Sequence, residues 1–240
     1  MKIVEKTKER IIILSELNLS LANALRRASS ETPILAIDEV EFYKNDCVLN
    51  DQMLAHRLGL IPFRNEKLNL PEECSCKGEG CAKCTIQLKL SVDGPKTVYA
   101  KDLKGKAEVV YEEMPLAILD EDQKLELVAY ARLGRGIEHA KFSPGLVYYR
   151  HAYEITGEKC KEVLEKYKRQ IYFMEKSGSN YLADLPEACV DELTHLEGVK
   201  VKPSSQVVFI IESFGQMDAK DIFSGSIEVL QEQLKQVRKE

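Results

Sequence analysis

The chain has 240 residues, 44% of them apolar, a formal charge of −5 and seven cysteines. A chain of that length buries a core without covalent staples, and an odd cysteine count at irregular spacing argues against a disulfide framework. The acidic balance excludes a general electrostatic match to a phosphate backbone, so work near nucleic acid is expected to run through partners, with little direct DNA contact.

The opening "MKIVEKTKER" is charged and lacks the apolar stretch of a signal peptide, and no later run is apolar for long enough to cross a bilayer. A cytoplasmic protein with no membrane attachment is expected. "ERIIILSEL" predicts a strand centred on Ile11, Ile12 and Ile13. In "SLANALRRASSE", Leu21, Ala24, Leu25 and Ala28 recur at helical spacing, with Ser20 placed to cap. Asn23, Arg26, Arg27 and Ser30 fall on the opposite face, which suits either solvent or the carboxylates and carbonyls of a partner. After Pro33, "ILAIDEVEFY" reads as strand, and "NDQMLAHRLGLIPF" as a short helix capped by Asn50 or Asp51 and stopped by Gly59 and Pro62.

"TIQLKLSV" alternates strictly, with Ile86, Leu88, Leu90 and Val92 on one face, the pattern of a half-buried antiparallel strand. "KTVYAKDL", "AEVVY" and "KLELVAYARLG" are further strand candidates. From Gly157 the character changes: "EKCKEVLEKYKRQIYF" and "NYLADLPEACVDELTHLEG" predict helices, the second ending at Gly198. "QVVFIIESFG" returns to strand. The final "KDIFSGSIEVLQEQLKQVRKE" carries Phe223, Ile227, Leu230, Leu234 and Val237 at alternating steps of four and three, a coiled-coil-like seam that either packs on its own domain or lies against a partner.

Four cysteines crowd into "CSCKGEGCAKC" with the spacing C-x-C-x4-C-x2-C. In a cytosolic chain that pattern points to metal, and each short pair can turn two sulfurs toward one tetrahedral ion. Zinc on Cys74, Cys76, Cys81 and Cys84 is the simplest occupant. Lys77 and Lys83 offset the excess negative charge, Gly78 and Gly80 permit the reversals, and a full thiolate shell makes the site structural. Cys76, Cys81 and Cys84 alone match a plant-type iron–sulfur run, but the nearness of Cys74 favours a compact zinc loop. Cys47, Cys160 and Cys189 read as small buried apolar residues, and His56, His139, His151 and His195 are scattered. Neither a phosphate-binding glycine loop nor a nucleophile elbow is present, so nothing points to a catalytic site of the chain's own.

"LSLANALRRASSETPILAIDEVEFYKNDCVLNDQMLAHRLGLIPF", "GIEHAKFSPG" and "VVFIIESFGQM" together closely resemble three ordered blocks of the α-like subunits of DNA-dependent RNA polymerase, the archaeal D subunits among them. These are similar to the third-largest subunit of eukaryotic polymerase II. The resemblance runs from the first strand to the last helix.

It implies an α+β fold: a discontinuous α/β dimerisation domain from 1–40 and 203–240, an inserted β-rich domain over 41–156 with the zinc loop, and a small helical, ferredoxin-like remnant over 157–202. Some relatives carry iron–sulfur cysteines in that last segment, where this chain retains only Cys160 and Cys189, so a cluster-free remnant is expected. The resemblance further implies a non-catalytic assembly platform within a nucleotidyltransferase complex. Phe223, Ile227, Leu230, Leu234 and Val237 would meet the smaller α-like subunit L. Asn23, Arg26 and Arg27 would dock the second-largest subunit, and other polymerase subunits would assemble on the pair. A zinc-containing or iron–sulfur regulator of transcription is the rival, disfavoured by the missing basic stripe and the missing cluster ligands.

Overall fold

The structure, a computed structural model, describes residues 1–64 and 66–239. Its elements in chain order are β1 (Lys2–Lys6), β2 (Arg10–Ser15), α1 (Leu19–Ser29), β3 (Ile34–Asn45), α2 (Asp51–Gly59), β4 (Thr85–Asp93), β5 (Lys96–Tyr99), β6 (Pro115–Leu119), β7 (Lys124–Gly134), β8 (Gly145–Thr156), α3 (Cys160–Lys166), β9 (Met174–Ser177), β10 (Asn180–Asp184), α4 (Glu187–Thr194), β11 (Lys200–Ser213) and α5 (Ala219–Lys239). This is a strand-rich α+β chain. It groups into two compact units, residues 1–27 with 146–212 and residues 28–145 with 213–240. No helix among the described residues is long and apolar enough to cross a membrane.

The first unit is built on a six-stranded sheet in the order β1-β2-β11-β8-β10-β9. β2 and β11 run antiparallel with Ile12 opposite Ile210, and where they pair, Ile11–Leu14 and Val207–Ile211 are apolar and buried throughout because both their faces are covered. Ile12, Leu14, Ala152, Phe173, Val208 and Ile210 form one cluster of this unit. Ile155, Leu164, Cys160, Ala183, Cys189 and Leu193 form another. In the second unit, β3, β7 and β4 make a three-stranded antiparallel sheet, and β5 pairs with β6. Ile86, Leu88, Leu90 and Val92 all face its core, as their alternation predicts.

Several sequence expectations need correction. "AEVVY" forms no strand: only Val109 bridges to Phe63, and Pro62, having no N–H, can accept from Val110 but cannot extend the ladder. The expected helix over "NYLADLPEACVDELTHLEG" is strand β10 followed by the shorter α4, because Pro186 sits at the helix start and Asn180–Asp184 pairs on both sides, with β8 and with β9. The segment 157–202 is therefore mixed rather than helical. Ser20 does not cap α1. Asn18 does, its Oδ1 accepting the Ser20 N–H at 2.8 Å, so the helix begins at Leu19. Leu21 is exposed and Ala22 takes the buried place beside Leu25 and Ala28. Strand β1 was not anticipated, and β8 lies in the six-stranded sheet although it falls at the end of the segment expected as the insert. Glu240, the last residue of the expected terminal helix, lies outside the described residues.

Candidate metal centre and exposed helix faces

The cysteine loop hangs between a short helical turn at Pro71–Glu73 and the start of β4. Its base is tied by the Asn69 N–H to the Lys83 carbonyl at 2.9 Å and by an ion pair between Glu72 and Arg135. Two tight turns follow. Lys77 N–H donates to the Cys74 carbonyl at 2.9 Å, and the N–H groups of Cys84 and Thr85 both donate to the Cys81 carbonyl at 2.9 Å. Between them the backbone is left-handed at Lys77, Gly78 and Gly80, with φ of 54°, 89° and 85°, and the glycines reach that region at no steric cost.

The turns bring the four sulfurs together. Cys74 and Cys81 are 3.6 Å apart, Cys76 and Cys84 3.5 Å, and Cys81 and Cys84 3.9 Å, all four lying within 4.8 Å of one another. A regular tetrahedron of sulfurs at 2.3 Å from a central ion has edges of about 3.8 Å, so these separations fit a four-coordinate metal. They are far too long for disulfides. Cys74 and Cys84 are buried while Cys76 and Cys81 reach the surface. Sulfur hydrogen bonds from Cys74 and Cys84 draw Cys76 down to about 6. Cys81, although the Lys83 backbone N–H favours its thiolate, is pushed up to about 11 by its contacts with Cys74 and Cys76. One thiolate thus stabilises itself at the expense of the next, and a divalent cation would relieve that competition.

The remaining cysteines behave as packing residues. Cys160 and Cys189 are fully buried in the α3/α4 core, Cys160 donating to the Gly157 carbonyl at 2.8 Å, and burial pushes Cys189 up to about 11. Cys47 is half-buried, and burial likewise raises it. The four histidines stay apart and no second ligand cluster occurs among the described residues.

On α1, Arg26 and Arg27 are exposed and Asn23 is half-buried. The Asn23 Oδ1 accepts two hydrogen bonds from Arg26, so these two residues do share a face. On α5, burial splits the helix into two stripes. Ala219, Ile222 and Ser226 are buried within the chain. Phe223, Ile227 and Leu230 are half-buried, while Leu234 and Val237 are 62% and 70% exposed. Sequence reasoning found the second stripe and missed the first, whose signal was Gly225 and Ser226 beside Ile222: small residues where the helix approaches Thr32.

Residues 39–145 match the RNA polymerase Rpb3/RpoA insert domain. The chain is 32% identical to DNA-directed RNA polymerase subunit Rpo3 of Archaeoglobus fulgidus, over 98% of this chain and 94% of that one. It is 34% identical to the Methanothermobacter thermautotrophicus Rpo3 over 97% and 95% of the two chains, and 35% identical to that of Thermococcus kodakarensis over 95% and 92%. The chain belongs to the archaeal Rpo3 family, the D subunits of DNA-directed RNA polymerase.

Proposed function

We propose that this subunit is a non-catalytic platform on which its polymerase assembles, pairing through α5 with the smaller α-like subunit L and docking the second-largest subunit through Asn23, Arg26 and Arg27. The observation that carries the reading is the two-sided α5. One stripe is buried within the chain, and the other leaves five apolar residues, Phe223, Ile227, Leu230, Leu234 and Val237, partly or largely open along the helix. Such a seam is the signature of a helix awaiting cover, and each side chain of this size gains roughly 1.5–3 kcal/mol when fully buried.

In this reading the two ends of the chain form one discontinuous dimerisation domain around the insert, a division supported by the adjacency of β1, β2 and β11 in one sheet. The insert is best drawn to Gly145, where the family match ends and β8 enters the six-stranded sheet. We assign zinc to Cys74, Cys76, Cys81 and Cys84. With all four positions taken by thiolates, the ion braces the loop and supplies no reaction centre. The relatives, all named as polymerase subunits, do not favour a free-standing zinc or iron–sulfur regulator.

The decisive test is Leu230→Asp in a co-expression with subunit L. The wild-type pair should elute as a soluble one-to-one complex, and the variant should lose it, because a carboxylate buried in an apolar seam has no counter-charge. Survival of the complex unchanged would overturn the assignment of α5.

A further inference from the structure

The four sulfurs of the cysteine loop are not equally placed for water. Cys76 and Cys81 reach the surface, whereas Cys84 is only 1% exposed. A sulfur that holds a metal is a thiolate, and a thiolate cut off from solvent takes its hydrogen bonds from the protein. Two donors stand within reach of this one. The Cys81 N–H donates to Cys84 Sγ at 3.3 Å, and the Thr85 hydroxyl lies 3.6 Å from the same sulfur. With a thiol the direction of the second contact is open. A thiolate has no proton to give, so in the metal-holding state the hydroxyl is the donor.

The fold gives that hydroxyl nothing else to do. Its one hydrogen bond among the described residues is the contact with Cys84. Thr85 opens β4 opposite Arg132 of β7, and its backbone N–H donates to the Cys81 carbonyl at 2.9 Å. Both tasks fall to the backbone and to a β-branched shape, which valine supplies at nearly the same volume. What valine lacks is the donor. Four thiolates on one divalent ion carry a formal excess of two negative charges, and hydrogen bonds to the sulfurs spread that charge and orient the ligands. The backbone N–H groups of Gly78 and Lys83 favour the Cys76 and Cys81 thiolates in this way. Among the described residues, Thr85 is the one side chain besides the cysteines that reaches a ligand sulfur.

We propose that Thr85 is a positioning residue of the metal centre: its hydroxyl donates to Cys84 Sγ, fixes the orientation of that ligand and tightens the hold of the loop on zinc. The inference rests on the assignment of zinc to this loop and on no partner of the chain.

Zinc affinity, measured by chelator competition on the intact chain, tests it in wild type, Thr85→Val and Thr85→Ser. Removing the hydroxyl should weaken zinc binding on the order of tenfold, the lower end of what an outer hydrogen-bond partner contributes to a metal site. Thr85→Ser keeps the hydroxyl and should bind close to wild type. Cobalt(II) loaded in place of zinc gives a second readout that a merely structural role would not move. With one hydrogen bond fewer, the Cys84 thiolate gives up electron density more readily, so the sulfur-to-cobalt charge-transfer band should move to longer wavelength in Thr85→Val and stay in place in Thr85→Ser. Should Thr85→Val fail to fold, Thr85→Ala, which also lacks the hydroxyl, should show the same band shift. Wild-type zinc affinity and an unshifted band in Thr85→Val would overturn this inference alone. A Thr85→Ser variant as weak as Thr85→Val would overturn it too, since side-chain shape would then decide the affinity. A wild-type chain that takes up neither zinc nor cobalt would overturn it together with the metal assignment.

Discussion

Arg26 donates two hydrogen bonds, at 2.9 and 3.1 Å, to the Oδ1 of Asn23 one turn earlier on α1. The contact fixes the guanidinium on the helix surface and lowers the entropy that a partner would otherwise have to remove. Changes at exposed positions usually move stability by less than about 0.5 kcal/mol, whereas losing a charged interface anchor commonly costs on the order of 2 kcal/mol of binding. The Arg26→Ala, Arg27→Ala double variant should therefore melt as wild type and pair normally with L, while incorporation of the second-largest subunit falls sharply in reconstitution. Unimpaired incorporation would return this face to solvent.

For the cysteine loop, elemental analysis should find one zinc per chain and no iron. Cys81→Ser should strip most of that zinc and raise exchange and protease sensitivity between Glu73 and Thr85. The β3-β7-β4 core should stay folded, because Leu88, Leu90, Leu127 and Ala129 bury their surface without help from the metal. Collapse of the whole chain on chelation would contradict this division of labour.

The two stripes of α5 separate by a pair of truncations. Ile222 is fully buried, so Ile222→Ala should cost about 2–5 kcal/mol in denaturant unfolding. Leu234→Ala, at an exposed position, should leave the free chain within about 0.5 kcal/mol of wild type and weaken only the complex with L. Equal losses of stability from both would show that the seam is internal.

Buried Asp184 introduces a pH dependence of defined sign. Burial lifts its carboxyl to about 6, although the Phe173 N–H, the Arg150 guanidinium and the Tyr172 N–H favour the anion. The folded value lies above the ordinary carboxylate value of about 4, so the native state retains a proton that the unfolded chain has already lost. The stabilisation is full below about pH 4 and gone above about pH 6. Unfolding free energy should fall across that window by on the order of 2 kcal/mol relative to Asp184→Asn, which lacks the titration. A constant difference between the two proteins from pH 4 to 7 would refute it.

How far the fold could be read from residues alone follows from where burial is one-sided. β4 was legible because Ile86, Leu88, Leu90 and Val92 all meet the core, and α2 because Asn50 caps it through the Met53 N–H at 2.9 Å. β1 was hidden, since Lys2–Lys6 is an exposed, charged edge that owes its form to pairing with β2. β10 read as helix because Leu182 and Ala183 are good helix formers, and pairing on both sides overrides that preference. The four cysteines that the fold gathers declared themselves by spacing. The buried stripe of α5, Ala219, Ile222 and Ser226, did not, since it depends on which atoms the folded chain covers.

The central place of β11 in its sheet also dictates an order of events during synthesis. Ile11 to Leu14 are nearly wholly buried, yet the strand that covers them on one side, with Ile210 opposite Ile12, is made almost a full chain-length later. At translation speeds of about 5–20 residues per second, β2 waits on the order of ten seconds or more for its neighbour. For that interval the nascent chain carries an uncovered isoleucine edge, while the strands of the β3-β7-β4 sheet all emerge earlier and pair among themselves. The ribosome thus releases this polypeptide with its middle folded and its first strands still seeking the last one, so chaperone dependence should concentrate at residues 10–15.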